Sequence, residues 1–330
     1  MTHTIKDVAK LAGVGIATVS RVINQNGYVS PDTAKRVMKA MAELDFTPSP
    51  LARGLVSRKT ATIGLVIPDV ANPFFAEVAR GTEDAAIAKG FTVILCNSDW
   101  KAEREKMYSK LLRQKWAEGV IAVGSRSSES SLRELIDPLP MVFVDRFTML
   151  PGSDSVWSDN KKGGLLATQH LIDMGCRKLA HISGPTHSPA SIARQKGFLL
   201  GIKEANVSWE IVKGDFRYRS GYDAGMELLT RDVPPDGIFA GNDLMAVGIL
   251  QAAASLHIRI PDDLLVIGYD NIAMAEYVAP PLSTVDQPAY EMGRIAFDML
   301  HKKMQDETRE SRNVREFEPL LILRESTNRK

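Results

Sequence analysis

The chain has 330 residues, 44% of them apolar and 25% charged, a mixture that fits a globular protein of one large or two medium cores and excludes a disordered or membrane-embedded chain. The formal net charge of +1 hides an asymmetry: residues 1–60 carry nine Lys and Arg against four Asp and Glu, a net of +5, which leaves −4 on the rest. Such a division fits a small front module that meets a polyanion, joined to a body that need not.

The opening MTHTIKDVAKLAG has charges where a secretion signal needs an apolar run, and no stretch approaches the roughly 18 apolar residues of a membrane span. A cytoplasmic protein with no membrane partner is expected. Cys96 and Cys176 lie in apolar settings without metal-ligand spacing, so buried free thiols are expected rather than a disulfide.

In TIKDVAKLA, Thr4 is placed to cap a helix with Asp7 as its N3 acid, and Ile5, Val8, Ala9 and Leu11 give a period near 3.6. Gly13 ends that helix. A second helical pattern, 16–23, turns Val19 and Val22 or Ile23 inward and leaves Ala17, Thr18, Ser20 and Arg21 outside, so the pair reads as a helix-turn-helix. A third opens with Ser30 as cap and Pro31 at N1, with Val37, Met38, Met41 and Leu44 as its apolar stripe. Next, Ser49 and Pro50 can start a short helix over 51–55, beside Arg53, Arg58 and Lys59. Gly54 weakens it, so it should form only when docked.

From residue 61 onward, strands are expected at 62–68, 91–97, 119–124, 140–145, 155–159, 178–184, 237–242, 264–270 and 283–287. Helices are expected at about 74–89, 101–116, 161–173, 190–205, 218–230, 243–255 and 289–304. Near-continuous apolar strands alternating with helices mean parallel sheets covered on both faces, and the series divides near residue 160 into two doubly wound subdomains with a cleft between them. Asp69, Asn72, Asp145, Arg146, Asn242, Asp270 and Gln287 all lie just past strand C-termini, the edge where open sheets bind ligands. With Phe74 and Phe75 they suit a polyhydroxylated ring, stacked on its apolar faces and hydrogen-bonded at its rim.

Catalytic chemistry finds little support. His181 sits within a strand and reads as a core residue, while His170, His187 and His257 lack metal-ligand partners. No Gly-x-Gly-x-x-Gly, P-loop or Gly-x-Ser-x-Gly pattern follows a strand, so neither an enzyme nor a cofactor is expected.

Over nearly its whole length the chain resembles the lactose/galactose-repressor family of bacterial transcription regulators. TIKDVAKLAGVGIATVSRVIN with YVSPDTAKRV matches its DNA-binding signature and PLARGL its hinge helix. TIGLVIPDVANPFFAEVARGTEDAAIAKGF and IPDDLLVIGYDNIAMAEYVAPPLSTVDQP match its periplasmic-binding-protein-like core. The resemblance implies an all-α three-helix headpiece (1–48), a hinge helix and linker (49–60), and an α/β type I core (61–330). Within the core, the near subdomain would be 61–159 with 289–316, and the far one 160–288 with 317–328.

It further implies a homodimer on a pseudo-palindromic operator. Ile16 and Ala17 would face base edges, and Thr18, Ser20 and Arg21 phosphates or bases, with Thr4, Asn24, Tyr28 and Ser30 also at the DNA. Leu55 would wedge into the minor groove, with Ala52 and Arg53 beside it. A tetramer is not expected, because the chain ends near the last core strand. Gly15 departs from the family's usual Ser, and Pro50 and Gly54 are unusual in its hinge.

For the effector, the set Asn72, Phe74, Phe75, Asp145, Arg146, Arg194, Phe216, Asn242, Asp270 and Gln287 resembles that of ribose-binding proteins and ribose-operon repressors. Arg194 and Asp270 would grip adjacent hydroxyls. Purine-repressor relatives share Phe216 and Asp270 but place an arginine and a threonine where this chain has Ser188 and Ala190, which favours a sugar. Ribose or another sugar is therefore the expected ligand, and release from DNA its expected effect.

Overall fold

The computed structural model describes residues 3–24, 27–46, 60–115, 117–125, 139–305 and 312–329, and the chain divides into two compact units, 1–61 and 62–330. The expectations for the hinge, including Ala52, Arg53 and Leu55, lie outside the described residues, as does the side chain of Asn24.

The first unit holds α1 (Ile5–Ala12), α2 (Ile16–Asn24) and α3 (Pro31–Glu43). The Asp7 carboxylate accepts from both the backbone N–H and the hydroxyl of Thr4, each at 2.8 Å, which closes the start of α1. Gly13, at φ 66°, ends it in the left-handed conformation. Ser30 caps α3 by accepting from the Thr33 N–H at 3.4 Å. Val8, Ala9, Ala12, Val19, Val37 and Ala40 form the buried centre, with Ile5, Val22, Ile23, Met41 and Leu44 packed around it.

Two expected core residues fall outside it. Leu11 is 50% and Met38 59% exposed. The inward stripes run 5-8-9-12 on α1 and 37-40-41-44 on α3, and each exposed residue lies about 100° around the helix from a buried neighbour.

The second unit opens with β1 (Thr62–Ile67), α4 (Pro73–Ala88), β2 (Thr92–Asn97), α5 (Ala102–Gln114), β3 (Gly119–Val123), β4 (Met141–Val144) and β5 (Ser153–Ser158). A second series follows: α6 (Asn160–Asp173), β6 (Lys178–Ser183), α7 (Pro189–Ile202), β7 (Ser208–Lys213), α8 (Tyr218–Leu229), β8 (Gly237–Ala240), α9 (Asp243–Ser255), β9 (Leu265–Ile267), α10 (Met274–Tyr277) and β10 (Thr284–Asp286). It ends with α11 (Ala289–Gln305), β11 (Val314–Phe317) and β12 (Leu320–Ile322).

One parallel sheet has the order β11-β5-β4-β3-β1-β2, the other β7-β6-β8-β9. Bridges Ile267↔Ser283 and Asp270↔Asp286 set β10 beside β9, and β12 pairs antiparallel with β10. The chain thus passes between the sheets after β5, after β10 and after β11. Strands β3, β4 and β8 are buried along their whole length, as parallel strands covered on both faces must be.

All nine expected strands are present. The strands β7, β11 and β12 and the single-turn α10 stood outside the expected series: β7 and β11 are largely exposed or half-buried and show no continuous apolar run, while β12, though apolar, and α10 span only three and four residues. Cys96 and Cys176 are buried free thiols, and burial lifts that of Cys176 to about 12. Among the described residues no helix is long and apolar enough to cross a membrane.

Three helix pairs approach through reciprocal glycines: Gly81 and Gly293 between α4 and α11, Gly164 and Gly197 between α6 and α7, and Gly221 and Gly248 between α8 and α9. A Cβ at any of the six would overlap backbone atoms of the facing helix. Such contacts bring the helix axes closer than any side chain allows. Gly293→Ala, whose methyl would overlap the Val78 carbonyl, is expected to cost about 1–3 kcal/mol. Urea unfolding should show a lower midpoint at unchanged slope, and an unshifted midpoint would mean that α4 and α11 separate freely.

Candidate functional site

The turns that follow the strands of both sheets set the geometry of the cleft. Asp99 and Trp100 after β2, Asp145 after β4, Phe216 after β7, and Asp270 and Asn271 after β9 all have positive φ, between 51° and 106°. Side chains other than glycine rarely adopt this conformation, and it clusters where a site over-determines the backbone. Here it turns acids and rings at the strand ends toward one another.

Aromatic rings form a continuous wall across the cleft. Phe74 meets Phe75 edge-on at 5.3 Å, Phe75 meets Trp100 at 5.7 Å, and Trp100 meets Phe216 at 5.7 Å. The first three belong to the first sheet's turns and helices, and Phe216 to the second's. Asn72 caps α4, accepting from the Phe74 N–H at 3.0 Å. Asn242 caps α9 through Oδ1 and donates through Nδ2 to the Phe216 carbonyl at 3.0 Å, which holds that turn in place. Asp69 and Arg217 form an ion pair across the cleft at 3.3 Å.

The polar floor centres on Arg194, only 3% exposed. Its Nε donates to Asn160 Oδ1 at 2.8 Å, its Nη1 to the Gly241 carbonyl at 2.6 Å, and its Nη2 pairs with Asp270 Oδ1 at 3.2 Å. Asn160 Nδ2 donates in turn to Asp145 Oδ1 at 3.1 Å, and Gln287 Nε2 to Asp270 Oδ1 at 2.8 Å. The guanidinium lies 3.7 Å from the centre of the Tyr269 ring and 5.5 Å from that of Phe216. Burial raises the Asp145 carboxyl above the usual range and lifts that of Asp270 to about 6, against the opposing pull of Arg194 in both cases.

Of the ten expected ligand residues, Asp145, Arg194, Asp270 and Gln287 share this network, joined through Asn160. Phe74, Phe75 and Phe216 share the aromatic wall, and Asn72 and Asn242 hold its edges. Arg146 is engaged with the Ser125 carbonyl at 2.6 Å.

Sequence reasoning missed Asn160, Tyr269, Trp100 and Asp243. Asn160 stands two residues past β5, at the same edge as the others, and was legible there. Asp243 is fully buried behind the floor, where it accepts from Thr284 at 2.6 Å and from the Ile272 N–H at 2.9 Å. His181, stacked between Phe198 and Phe239 and lowered by burial to about 4, is a core residue.

In the first unit, Ile16, Ala17 and Arg21 are exposed on α2, and Thr18 and Ser20 half-buried, so one face of the second helix is open to solvent. Thr4 and Ser30 are exposed at two helix starts, and Tyr28 is 88% exposed. Gly15 supplies its carbonyl to the Thr18 and Val19 N–H groups but has no side chain to cap α2. Among the described residues, no cluster of three or more His, Cys, Asp or Glu is arranged to hold a metal ion.

Residues 4–49 match the family described as bacterial regulatory proteins, lacI family, and residues 168–327 match a periplasmic binding protein-like domain. The ribose operon repressor of Halalkalibacterium halodurans is 40% identical over 98% of this chain and 97% of its own length. The HTH-type transcriptional repressor PurR of Vibrio vulnificus is 38% identical over 99% of each. Among solved structures, the lac repressor dimer bound to operator and the anti-inducer ONPF superposes with a TM-score of 0.89, at 25% identity over 99% of both chains. A LacI family transcriptional regulator from Enterococcus faecium with bound ribose gives 0.73, at 30% identity over 80% of this chain and 98% of that one.

Gly184 keeps the aromatic wall in place, because a Cβ there would overlap the Phe216 ring. Gly184→Ala should displace that ring from Trp100 and change the tryptophan emission of the folded protein. An unaltered spectrum would show that Phe216 yields without leaving the wall.

Proposed function

The chain belongs to the lacI family of bacterial regulatory proteins and is a ligand-responsive transcriptional repressor; from that premise we propose that it binds a pseudo-palindromic operator as a homodimer and leaves it on binding ribose or a closely related sugar. In this reading residues 1–48 bind DNA, 49–60 form the hinge with Ala52, Arg53 and Leu55 at the minor groove, and 61–330 sense the ligand and dimerise. The exposed face of α2 supplies small apolar contacts for thymine methyls from Ile16 and Ala17, and a guanidinium for guanine or phosphate from Arg21. The similarity to a repressor dimer on its operator supports the assembly.

The buried Arg194 network under the aromatic wall carries the sugar reading. Two carboxylates, an arginine and two side-chain amides beside a wall of aromatic rings match a ring with apolar faces and hydroxyl edges. Similarity to a ribose operon repressor and to a ribose-bound regulator agrees with it. The likeness to PurR raises a purine as the second reading. Against it, Ser188 spends its hydroxyl capping α7, accepting from the Ser191 N–H at 3.3 Å, and Ala190 has no polar atom to offer.

Ribose is expected to weaken operator binding by on the order of a hundredfold, a coupling of about 2.7 kcal/mol. Arg194→Ala should still bind the operator but lose the response. Electrophoretic mobility shift with and without ribose reads both, and tighter binding in its presence would reverse the assigned sign.

The acidity of the site adds a second expectation. Sugar hydroxyls donate to ionised carboxylates, and Asp270 takes up its proton near pH 6. Ligand affinity should therefore be full above about pH 7 and fall as pH drops through 6, approaching a tenfold loss per unit below it. Calorimetric titrations at pH 5, 6 and 7.5 would measure this, and a flat profile would remove Asp270 from the contacts.

A further inference from the structure

Beside Asp270 and Gln287 the core holds a cavity of about 470 Å³ whose lining does not include Arg194, large enough for a ring and its substituents. It shares Phe74, Asp270 and Gln287 with the sugar cleft. Its own walls come from the start of α4, the turn 271–273 with α10, and the start of α11.

The walls present acceptors. Glu77, Glu276, Asp286 and Glu291 line the cavity together with Asp270, and the described lining includes no Lys or Arg. The side-chain donors of the wall each already serve a carboxylate: Asn271 Nδ2 that of Asp286 at 2.7 Å, Tyr290 Oη that of Asp84 at 2.9 Å, and Gln287 Nε2 that of Asp270. Gln287 Oε1 is left buried with no hydrogen-bond partner, although the residue is only 2% exposed. A buried acceptor without a donor is unfavourable, so this atom marks where a ligand group belongs. The arginines that pair with Glu77, Glu276 and Glu291, namely Arg80, Arg324 and Arg294, are not among the lining residues. The start of α11 also opens here, but its first turn carries Glu291, which opposes an anion at that helix end.

We propose that this cavity is a second subsite, continuous with the sugar cleft, that takes an uncharged aglycone rich in N–H or O–H donors and rejects a phosphate ester. The inference rests on the sugar reading and extends it: the effector is a glycoside of nucleoside type, whose sugar lies by Arg194 and whose ring lies against Phe74 and Tyr290. Gln287, at the junction, donates to Asp270 and accepts from the aglycone. A phosphate placed there would meet five carboxylates and no cationic side chain among the lining residues.

Calorimetry on the full chain with ribose, guanosine and ribose 1-phosphate, which carries its phosphate on the carbon that bears the aglycone, tests this, together with an Ala273→Trp variant that fills the cavity from its rim. Guanosine should bind and compete with ribose, and ribose 1-phosphate should bind at least about tenfold more weakly than ribose. Ala273→Trp should lower guanosine affinity by about tenfold or more while leaving ribose within about twofold. Ribose binding without guanosine binding overturns the subsite and leaves the sugar reading intact, as does an equal loss of both ligands in the variant. Ribose 1-phosphate binding as tightly as ribose overturns the phosphate exclusion. Guanosine binding that is sensitive to Ala273→Trp, without any ribose binding, upholds the subsite and discards free ribose as effector. Binding of none of the three overturns both.

Discussion

Arg194 is a full positive charge almost completely removed from water, and the half of the core built on β6 to β9 is arranged around keeping it there. An isolated guanidinium in such a place would be prohibitively costly, so each direction of its fork needs a partner. Asn160, the Gly241 carbonyl and Asp270 occupy those directions, and Tyr269 lies under the flat face. Each partner constrains a different element: the start of α6, the end of β8 and the turn after β9. The close packing of α6 on α7 through Gly164 and Gly197 follows, since Arg194 rides on α7 and must reach Asn160 on α6. Gly163 makes room for the Tyr269 ring in the same helix.

This arrangement explains why acids at the cleft are raised in spite of a nearby cation. Asp145 and Asp270 both look to Arg194, and one charge cannot satisfy two desolvated carboxylates that also repel each other. The residual demand is for hydrogen-bond donors, and the wall of rings above sets the shape of what may bring them. Strain in the turns belongs to the same economy. Asp145, Phe216 and Asp270 sit at positive φ because the strand ends would otherwise direct these side chains away from the cleft.

Much of the fold was legible because its signals are local. Apolar runs bounded by turn residues marked the central strands, and Ser30, Pro31 and Gly13 marked helix ends by their own chemistry. The edge strands β7 and β11 were not, since a half-solvated strand such as SWEIVK has no continuous apolar run, and β12 is an apolar run of only three residues. Leu11 and Met38 went wrong for a related reason: composition shows that a residue is apolar, but its phase on a short helix decides whether it is buried.

At the site, position past a strand end picked out Asp145, Asp270 and Gln287. Tyr269 and Asp243 were hidden because they act from behind, through a ring face and a buried carboxylate, and nothing in their local sequence distinguishes them from core. Arg194 was legible only through resemblance. It lies in the middle of a helix, and only the packing of α7 turns it inward.

The polar network also limits what kind of ligand can operate a switch. A ligand shifts a conformational equilibrium only by its differential affinity for the two states, so one that merely duplicated existing contacts would bind without consequence. The two halves of the core already touch through Trp100 against Phe216 and through the Asp69–Arg217 pair. The ion pair is more than half exposed on its arginine side, so solvent and salt screen it and its contribution to closure is small. What a polyhydroxylated ring adds is donors for acids on opposite sides of the cleft: Asp145 from the sheet of β4, Asp270 from that of β9. A ligand lacking one of those hydroxyls leaves a desolvated carboxylate with only its protein partners, and sites built to hydrogen-bond a hydroxyl discriminate strongly against its absence. The same carboxylates that are costly to bury thus make the response selective, because only a ligand that bridges both halves relieves both at once.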